Sequence, residues 1–246
     1  MHRCMGKRRT LTWLVVLAMP VLLVSYGWFM NHRPALHVQA EWTLTDALIQ
    51  NSDLILSFLF LIVSALPFYL VFDRKKVKAR ELTPIALMAA LCVVGRAAFA
   101  LIPLPNFKPV SAIIIITALA FGPEAGYLTG ALAAILSNFL FGQGPWTPWQ
   151  MFAMGLCGFG RMGLFGPVGR TAANERGKRR KPVALCIYGF LSGFLYGWIM
   201  NLYYIIGWVR PFSWKPAGAA YVSSFFFDLS HGICTALVLW LGGEAW

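Results

Sequence analysis

The sequence carries little charge: Asp, Glu, Lys and Arg together make up 12% of its 246 residues. Soluble globular proteins have about 25% of these residues, because charged side chains cover the surface that faces water. Apolar residues reach 59% here, and long uncharged runs recur along the chain. This composition excludes an ordinary soluble enzyme, a disordered chain and a disulfide-rich scaffold. It predicts an all-α polytopic membrane protein.

Sequence motifs for catalysis and for metal binding are also missing. The chain has no GxxxxGK[ST] loop for ATP, no HExxH and no GxSxG. Its five cysteines include no CxxC pair, and its four histidines share no ligand spacing. One GxGxxG match, at Gly158, Gly160 and Gly163, lies inside an apolar run with no strand before it, so we interpret it as part of a glycine-rich helix. We therefore expect no catalytic residues, no metal site and no cofactor.

Acidic residues are scarce, nine against 21 Lys and Arg, which gives a formal charge of +12. In a soluble protein this excess would suggest nucleic acid as a partner. Here fifteen of the basic residues fall before the first apolar run, after the second and after the sixth, and only four fall in the alternate loops. The positive-inside rule explains this split. We therefore expect eight spans, both termini in the cytoplasm and no nucleic-acid partner.

The eight spans are predicted from apolar runs, most of which reach the ~20 residues that a helix needs to cross a bilayer. Val110–Phe121 is shorter and can cross only where the bilayer thins or where protein surrounds it. The chain divides near Glu81 into a two-span extension, residues 1–81, and a six-helix core, residues 82–246. The predicted spans are Leu11–Met30, Leu54–Phe72, Pro84–Ile102, Val110–Phe121, Ala125–Phe141, Trp149–Val168, Val183–Trp208 and Tyr221–Leu241.

Three ionisable residues stand out among those inside predicted spans, where a charge costs about 2.5–3.5 kcal/mol on insertion scales. Arg96 lies six residues from the outer end of its span, and Asp228 lies seven from the outer end of the last span. Their depths therefore match. His231 follows Asp228 by three residues and shares its helix face. The three residues predict either an ion pair that joins two helices or a cavity that binds a ligand, and both interpretations remain open.

Three predicted outer loops combine proline or glycine with aromatic residues: LPNFKP at 104–109, GQGPWTPWQ at 142–150 and WVRPFSWKP at 208–216. Proline stiffens a loop, and tryptophan offers a flat contact area with one hydrogen-bond donor. One interpretation is a rigid aromatic lid over a flat organic ligand, and the alternative is the aromatic belt of a membrane protein. Hydrogen-bonding residues near the same face support the first: Asn138, Gln143, Gln150, Asn201 and Tyr204.

Small residues recur at every fourth position in three spans, a pattern that lets helices approach closely in a membrane. Some of these ridges must serve packing inside the bundle. A ridge that is left on the outside would be a docking face for another membrane subunit. The ridges are Ala86 and Ala90, then Gly126, Gly130 and Ala134, then Gly189, Gly193 and Gly197.

The segment Asn106–Leu156, which begins NFKPVSAIIIITALAFGPEAGYLTGALAAILSNFLFGQGPWTPWQ, resembles the substrate-binding (S) components of energy-coupling factor importers. These are vitamin-uptake relatives of ABC transporters. The resemblance covers about Leu82–Trp246, so it implies the six-helix core, and the first two spans depart from that minimal pattern. It implies a transmembrane coupling subunit and two cytoplasmic ATPase subunits as partners, a vitamin as ligand and membrane lipid as surroundings.

The resemblance also implies site residues. In the family an AxxxA ridge on the first core helix docks the coupling subunit, and Ala86 and Ala90 match that ridge. The ligand site of the family lies at the outer face, and five residues fall in matching loops: Asn106, Lys108, Trp146, Trp149 and Gln150.

Cobalamin is the ligand that the resemblance favours, with riboflavin, folate, thiamin-like compounds and queuosine-type precursors as alternatives. Two other functions remain possible on the sequence. An autonomous secondary transporter would need an inverted repeat and coupling-ion carboxylates at the midplane. A membrane enzyme that acts on lipid would need a nucleophile or a metal cluster. The sequence offers only Asp228 as a candidate acid well inside a span, with no clear repeat and no visible nucleophile or metal cluster.

Overall fold

A computed structural model describes residues 79–165, 183–209 and 213–242, together with four isolated positions, 21, 25, 59 and 62. The predicted spans Leu11–Met30 and Leu54–Phe72 lie outside these ranges, apart from the isolated positions. The basic stretch Arg176–Lys181 also lies outside them. The regular structure of the described ranges is entirely helical, which confirms the predicted all-α class for this part of the chain.

Six α-helices follow one another in the described ranges. Proline and glycine set the bounds of the central ones: Gly122 (φ 103°) separates the second helix from the third, Pro123 opens the third, and Gly142 (φ 102°) ends it. Glycine takes these positive φ values without strain, and proline at a first helical position loses no hydrogen bond. The helices are α1 (Ala79–Ala98, extended by the 3₁₀ turn Phe99–Leu101), α2 (Val110–Phe121), α3 (Pro123–Phe141), α4 (Thr147–Phe165), α5 (Val183–Trp208) and α6 (Trp214–Gly242).

Two of these helices, α2 and α5, have the predicted bounds, whereas α6 begins at Trp214 instead of Tyr221. Pro216 does not prevent this early start, because a proline in the first turn removes an N–H that has no partner within the helix. Asp228 therefore lies 14 residues into α6, while Arg96 lies two residues from the end of α1. Counted from the helix ends, the two positions therefore differ, and their equal depth in the bilayer stays a prediction.

The short helix α2 lies at the centre of the bundle and contacts each of the other five helices. Eight of its twelve residues are buried, although at 1.5 Å per residue it is only about 18 Å long. Protein therefore surrounds this short run, which is one of the two conditions under which the sequence analysis allowed it to cross the membrane. Four other described helices, α1, α3, α5 and α6, are long and apolar enough to cross a membrane.

Glycine ridges bring two pairs of helices into close contact. A Cβ on Gly130 of α3 would lie 2.6 Å from the carbonyl carbon of Met154 in α4. A Cβ on Gly193 of α5 would lie 2.5 Å from the backbone nitrogen of Gly232 in α6. These ridges thus serve packing inside the bundle, which places α3 against α4 and α5 against α6.

The ridge on α1 has a different position. Ala86 and Ala90 are both exposed, and they share the outside of α1 with Leu87, Leu91 and Val94, which are also exposed. This surface, defined by these five residues, is called the α1 face below. It is the ridge that remains on the outside of the described bundle.

Candidate ligand-binding cavity

A cavity lies at the end of the bundle where α1 ends and where α2 and α4 begin. It reaches inward to the middle parts of α5 and α6. The enclosed space measures about 70 Å³, and the whole concavity, with the open space at its mouth, measures about 410 Å³. The residues that line it are Arg96, Asn106, Lys108, Val110, Gln150, Met154, Tyr196 and His231.

The loop before α2 forms one side of the mouth and owes its shape to proline and asparagine. The backbone N–H of Phe107 donates to the carbonyl oxygen of Leu104 at 3.4 Å, with Pro105 and Asn106 between them. Asn106 has φ 53°, the positive value that the third residue of a type II turn requires and that asparagine tolerates. The turn brings Asn106 and Lys108 to the cavity.

Arg96 ties α1 to α3 at the mouth. Its Nη1 donates to Ser137 Oγ and, at 2.9 Å, to Asn138 Oδ1. Its guanidinium carbon lies 4.7 Å from the centroid of the Phe141 ring, a cation–π distance. The polar contacts of Arg96 are therefore with α3, and no ion pair with Asp228 is found.

Asn138 continues this network towards α4 and α5. Its Nδ2 donates to Thr147 Oγ1 at 2.9 Å and to Gln150 Oε1 at 2.7 Å. Gln150 Nε2 then donates to the hydroxyl oxygen of Tyr196 at 3.1 Å, and Thr147 Oγ1 donates to Gln143 Oε1 at 2.9 Å. One chain of hydrogen bonds thus holds four helices in register around the cavity.

The inner part of the cavity combines aromatic, apolar and polar side chains. The Tyr196 ring meets the His231 ring edge to face, with centroids 5.1 Å apart. His231 Nε2 lies 2.8 Å from Ser111 Oγ, a hydrogen-bond distance. Val110 and Met154 complete the apolar wall. This part of the cavity therefore offers both aromatic surface and hydrogen-bonding atoms.

The charge at the cavity is positive. Lys108 Nζ lies 5.6 Å from the centroid of the same Phe141 ring that Arg96 approaches. Partial burial lowers the pKa of Lys108 below its usual value, and the neighbouring charge of Arg96 lowers it further. None of the eight lining residues is acidic.

The structure brings several predicted site residues together. Arg96, Asn106, Lys108, Gln150 and His231 all line the cavity. Asn138 and Gln143 do not line the cavity but belong to the hydrogen-bond network described above.

Other predicted site residues lie elsewhere. Trp149 is buried in the core, its ring centroid 5.7 Å from that of Tyr203. Trp146 packs over Gly144, and Tyr204 is half exposed. Asp228 is buried and accepts a hydrogen bond from Ser224 Oγ at 3.2 Å. Among the described residues, the aromatic side chains of the proposed lid therefore do not line the cavity.

Sequence reasoning missed three lining residues, Val110, Met154 and Tyr196. It also missed Ser111 and Ser137, which bond to the cavity residues. Tyr196 sits between Gly193 and Gly197 on a ridge that indicated packing, and single serines in apolar runs are common in spanning helices. Ser137 could have been found from the sequence, because it directly precedes Asn138, which was already a candidate site residue.

These features define a class: a membrane-embedded helical protein with a small-molecule cavity at one end of its bundle. The family model described as ECF-type riboflavin transporter, S component, matches residues 76–241, which include all six helices except the last residue of α6. The chain belongs to this family, whose members are membrane-embedded transporter subunits and not enzymes. No curated protein and no solved structure matches the chain.

Proposed function

We propose that this chain is the substrate-specificity subunit of an ATP-driven importer. It captures a vitamin in the cavity at the outer end of the bundle, and partner subunits supply the energy. The match to the S-component family over all six helices carries this proposal. The cavity, with its hydrogen-bond network and aromatic wall, supports it because small-molecule sites combine apolar surface with a few fixed polar groups.

Riboflavin, which the family description names, is the first candidate ligand. The cavity volume of about 70 Å³ is below the roughly 300–1,000 Å³ of small-molecule sites, so riboflavin binding requires the mouth to widen. Tyr196 and His231 offer aromatic surface to a planar ring. Cobalamin, the ligand expected from the sequence resemblance, is much larger and would require the mouth loops to open widely, so we place it second.

The proposed partners are a transmembrane coupling subunit and two cytoplasmic ATPase subunits. The sequence has no GxxxxGK[ST] loop, which agrees with ATP hydrolysis in partner subunits. The exposed Ala86 and Ala90 on the α1 face support docking of the coupling subunit there, because small residues allow close helix approach in a membrane.

Uptake in cells tests this proposal directly. Cells that express the chain together with the coupling subunit and the ATPases should accumulate radiolabelled riboflavin, and cells with the chain alone should not. A matched control carries an ATPase whose nucleotide-binding lysine is replaced, so that assembly remains and hydrolysis stops. Accumulation without the partners would contradict the importer-subunit function and favour an autonomous transporter. Mass spectrometry of small molecules that co-purify with the chain would identify the ligand independently.

A further inference from the structure

The mouth of the cavity places two cations together with no acidic residue in its lining. We propose that the ligand carries an anionic group, a carboxylate or a phosphate, which Arg96 and Lys108 bind together. This inference rests on the proposed function, and it narrows the ligand from vitamins in general to an anionic vitamin or an anionic derivative of one.

The two cations reach the cavity lining from different elements. Arg96 comes from the end of α1 and Lys108 from the loop before α2, and both lie against the ring of Phe141. Like charges at such positions repel each other, and partial burial removes much of the water that would screen them. The lowered pKa of Lys108 is consistent with this repulsion. An anion between the two groups would relieve it.

Acidic side chains do not balance this charge in the part of the chain whose side chains are described. Asp228 accepts a hydrogen bond from Ser224 within α6 and does not line the cavity. Glu124 lies in the first turn of α3, at the opposite end of the bundle. The positive charge at the mouth therefore has no compensating carboxylate among these residues.

The hydrogen bonds of Arg96 orient its guanidinium without neutralising it. Both bonds come from Nη1, and both acceptors, Ser137 and Asn138, are uncharged. Among the described residues, no hydrogen bond involves Arg96 Nη2, Arg96 Nε or Lys108 Nζ. A planar guanidinium with unused N–H donors binds carboxylate and phosphate oxygens well. Such charge-assisted hydrogen bonds are about twice as strong as neutral ones.

The deeper wall would then contact the ring of the ligand. Met154 and the rings of Tyr196 and His231 line the inner part, so a planar ring would lie there with its anionic group towards the mouth. A carboxylate and a phosphate share the chemistry that the two cations recognise.

Binding to matched flavins tests the inference. The full chain, purified in a non-ionic detergent, is titrated calorimetrically with riboflavin and riboflavin 5′-phosphate, and with lumiflavin and its 10-carboxymethyl analogue. Each pair keeps the ring and changes the charge. We expect the anionic member of at least one pair to bind about tenfold more tightly or better, equivalent to about 1.4 kcal/mol. The pair that shows the preference distinguishes phosphate from carboxylate, and equal affinities within both pairs would overturn the inference.

Charge variants show whether contact with the cations causes the preference. Lys108→Gln should remove most of it, and Lys108→Arg should retain it. The matched control is Lys215→Gln, which removes one positive charge from an exposed position at the start of α6. Because Arg96 also ties α1 to α3, its loss can impair folding, so Lys108 is the decisive position. An equal effect of Lys108→Gln and Lys215→Gln would refute direct binding of the anion.

Two further outcomes separate binding of an anionic vitamin from binding of lipid phosphate and from binding of an uncharged ligand. If added phosphatidylglycerol competes with the anionic flavins, the cations bind lipid phosphate and the inference fails. If no flavin binds, the ligand that co-purifies with the chain decides: an uncharged ligand refutes the inference, and an anionic one supports it. In either case the proposed importer function is tested separately, by partner-dependent uptake.

Discussion

Asp228 is a charged residue held inside the bundle by close packing. Its carboxylate lies against the backbone of Gly197 in α5, so closely that a Cβ on Gly197 would clash with both carboxylate oxygens. Ser224, one turn earlier in α6, donates to the carboxylate, and Asn201 of α5 donates to Ser224 at 2.7 Å. Asp228 thus takes part in the contact between α5 and α6.

The substitution Gly197→Ala should therefore destabilise the protein. The new methyl group would displace the Asp228 carboxylate, and overpacking of this kind costs about 1–3 kcal/mol. We expect a lower melting temperature in detergent, measured by the loss of the monomer peak in size-exclusion chromatography after heating. Gly218→Ala is the control, because a Cβ there meets nothing within 4 Å and alanine favours a helix. Equal melting temperatures for the two variants would contradict the packing role of Gly197.

The sequence could predict the charged residues of the site better than the uncharged ones. A charge in an apolar run is costly, so Arg96 and His231 were visible from position alone. Tyr196 and Ser111 have no such signature, since each resembles an ordinary residue of a spanning helix. Only the packing of α2 against α5 and α6 places them beside His231.

At the scale of single helices, α1 differs from its neighbours in how little of it is covered. Only 17% of its spanning segment is buried inside the described bundle, compared with 56% for α3. Its small residues lie among exposed leucines on the α1 face. A helix with this pattern can accept a close partner in the membrane, because small residues let the two backbones approach.

Ala86→Leu should weaken docking of the coupling subunit and leave ligand binding intact. The larger side chain would hold the partner helix away from α1, and Ala86 does not line the cavity. Co-purification with the tagged coupling subunit measures docking, and calorimetry measures ligand binding. Ala219→Leu is the matched control on an exposed position of α6. An intact complex with Ala86→Leu would show that the α1 face is not the docking site.

Helix bounds were predictable where proline or glycine marks them. Pro109 and Gly122 flank α2, and the prediction there agrees with the structure. The start of α6 was missed because Pro216 was interpreted as part of a loop, although a proline is accommodated within a first turn. Which face of each helix packs inside was not predictable, since apolar residues cover nearly all faces of a spanning helix.

At the scale of the whole molecule, the helices alternate in direction, so the cavity, the loop before α2 and the segment 142–146 share one end of the bundle. The basic stretch Arg176–Lys181 follows α4 in the sequence and belongs, by the positive-inside rule, to the cytoplasmic side. This arrangement predicts that the cavity faces outward.

Labelling of single cysteines in intact cells tests that orientation. In a cysteine-free background, Gln143→Cys should react with a membrane-impermeant maleimide, because residue 143 is exposed near the mouth of the cavity. Arg176→Cys should react only after the cells are permeabilised. The permeabilised sample is the control for the reactivity of both positions. The reverse pattern would place the cavity on the cytoplasmic side and exclude capture of an external nutrient.

The short central helix also has a consequence for biosynthesis. A segment of twelve residues, about 18 Å long, cannot by itself cross about 30 Å of hydrocarbon. Only Gly122 separates α2 from α3, so we expect the two segments to leave the translocon as one helical hairpin. In that case the ribosome delivers α3 before α2 settles in the lipid, and later helices complete the enclosure of α2.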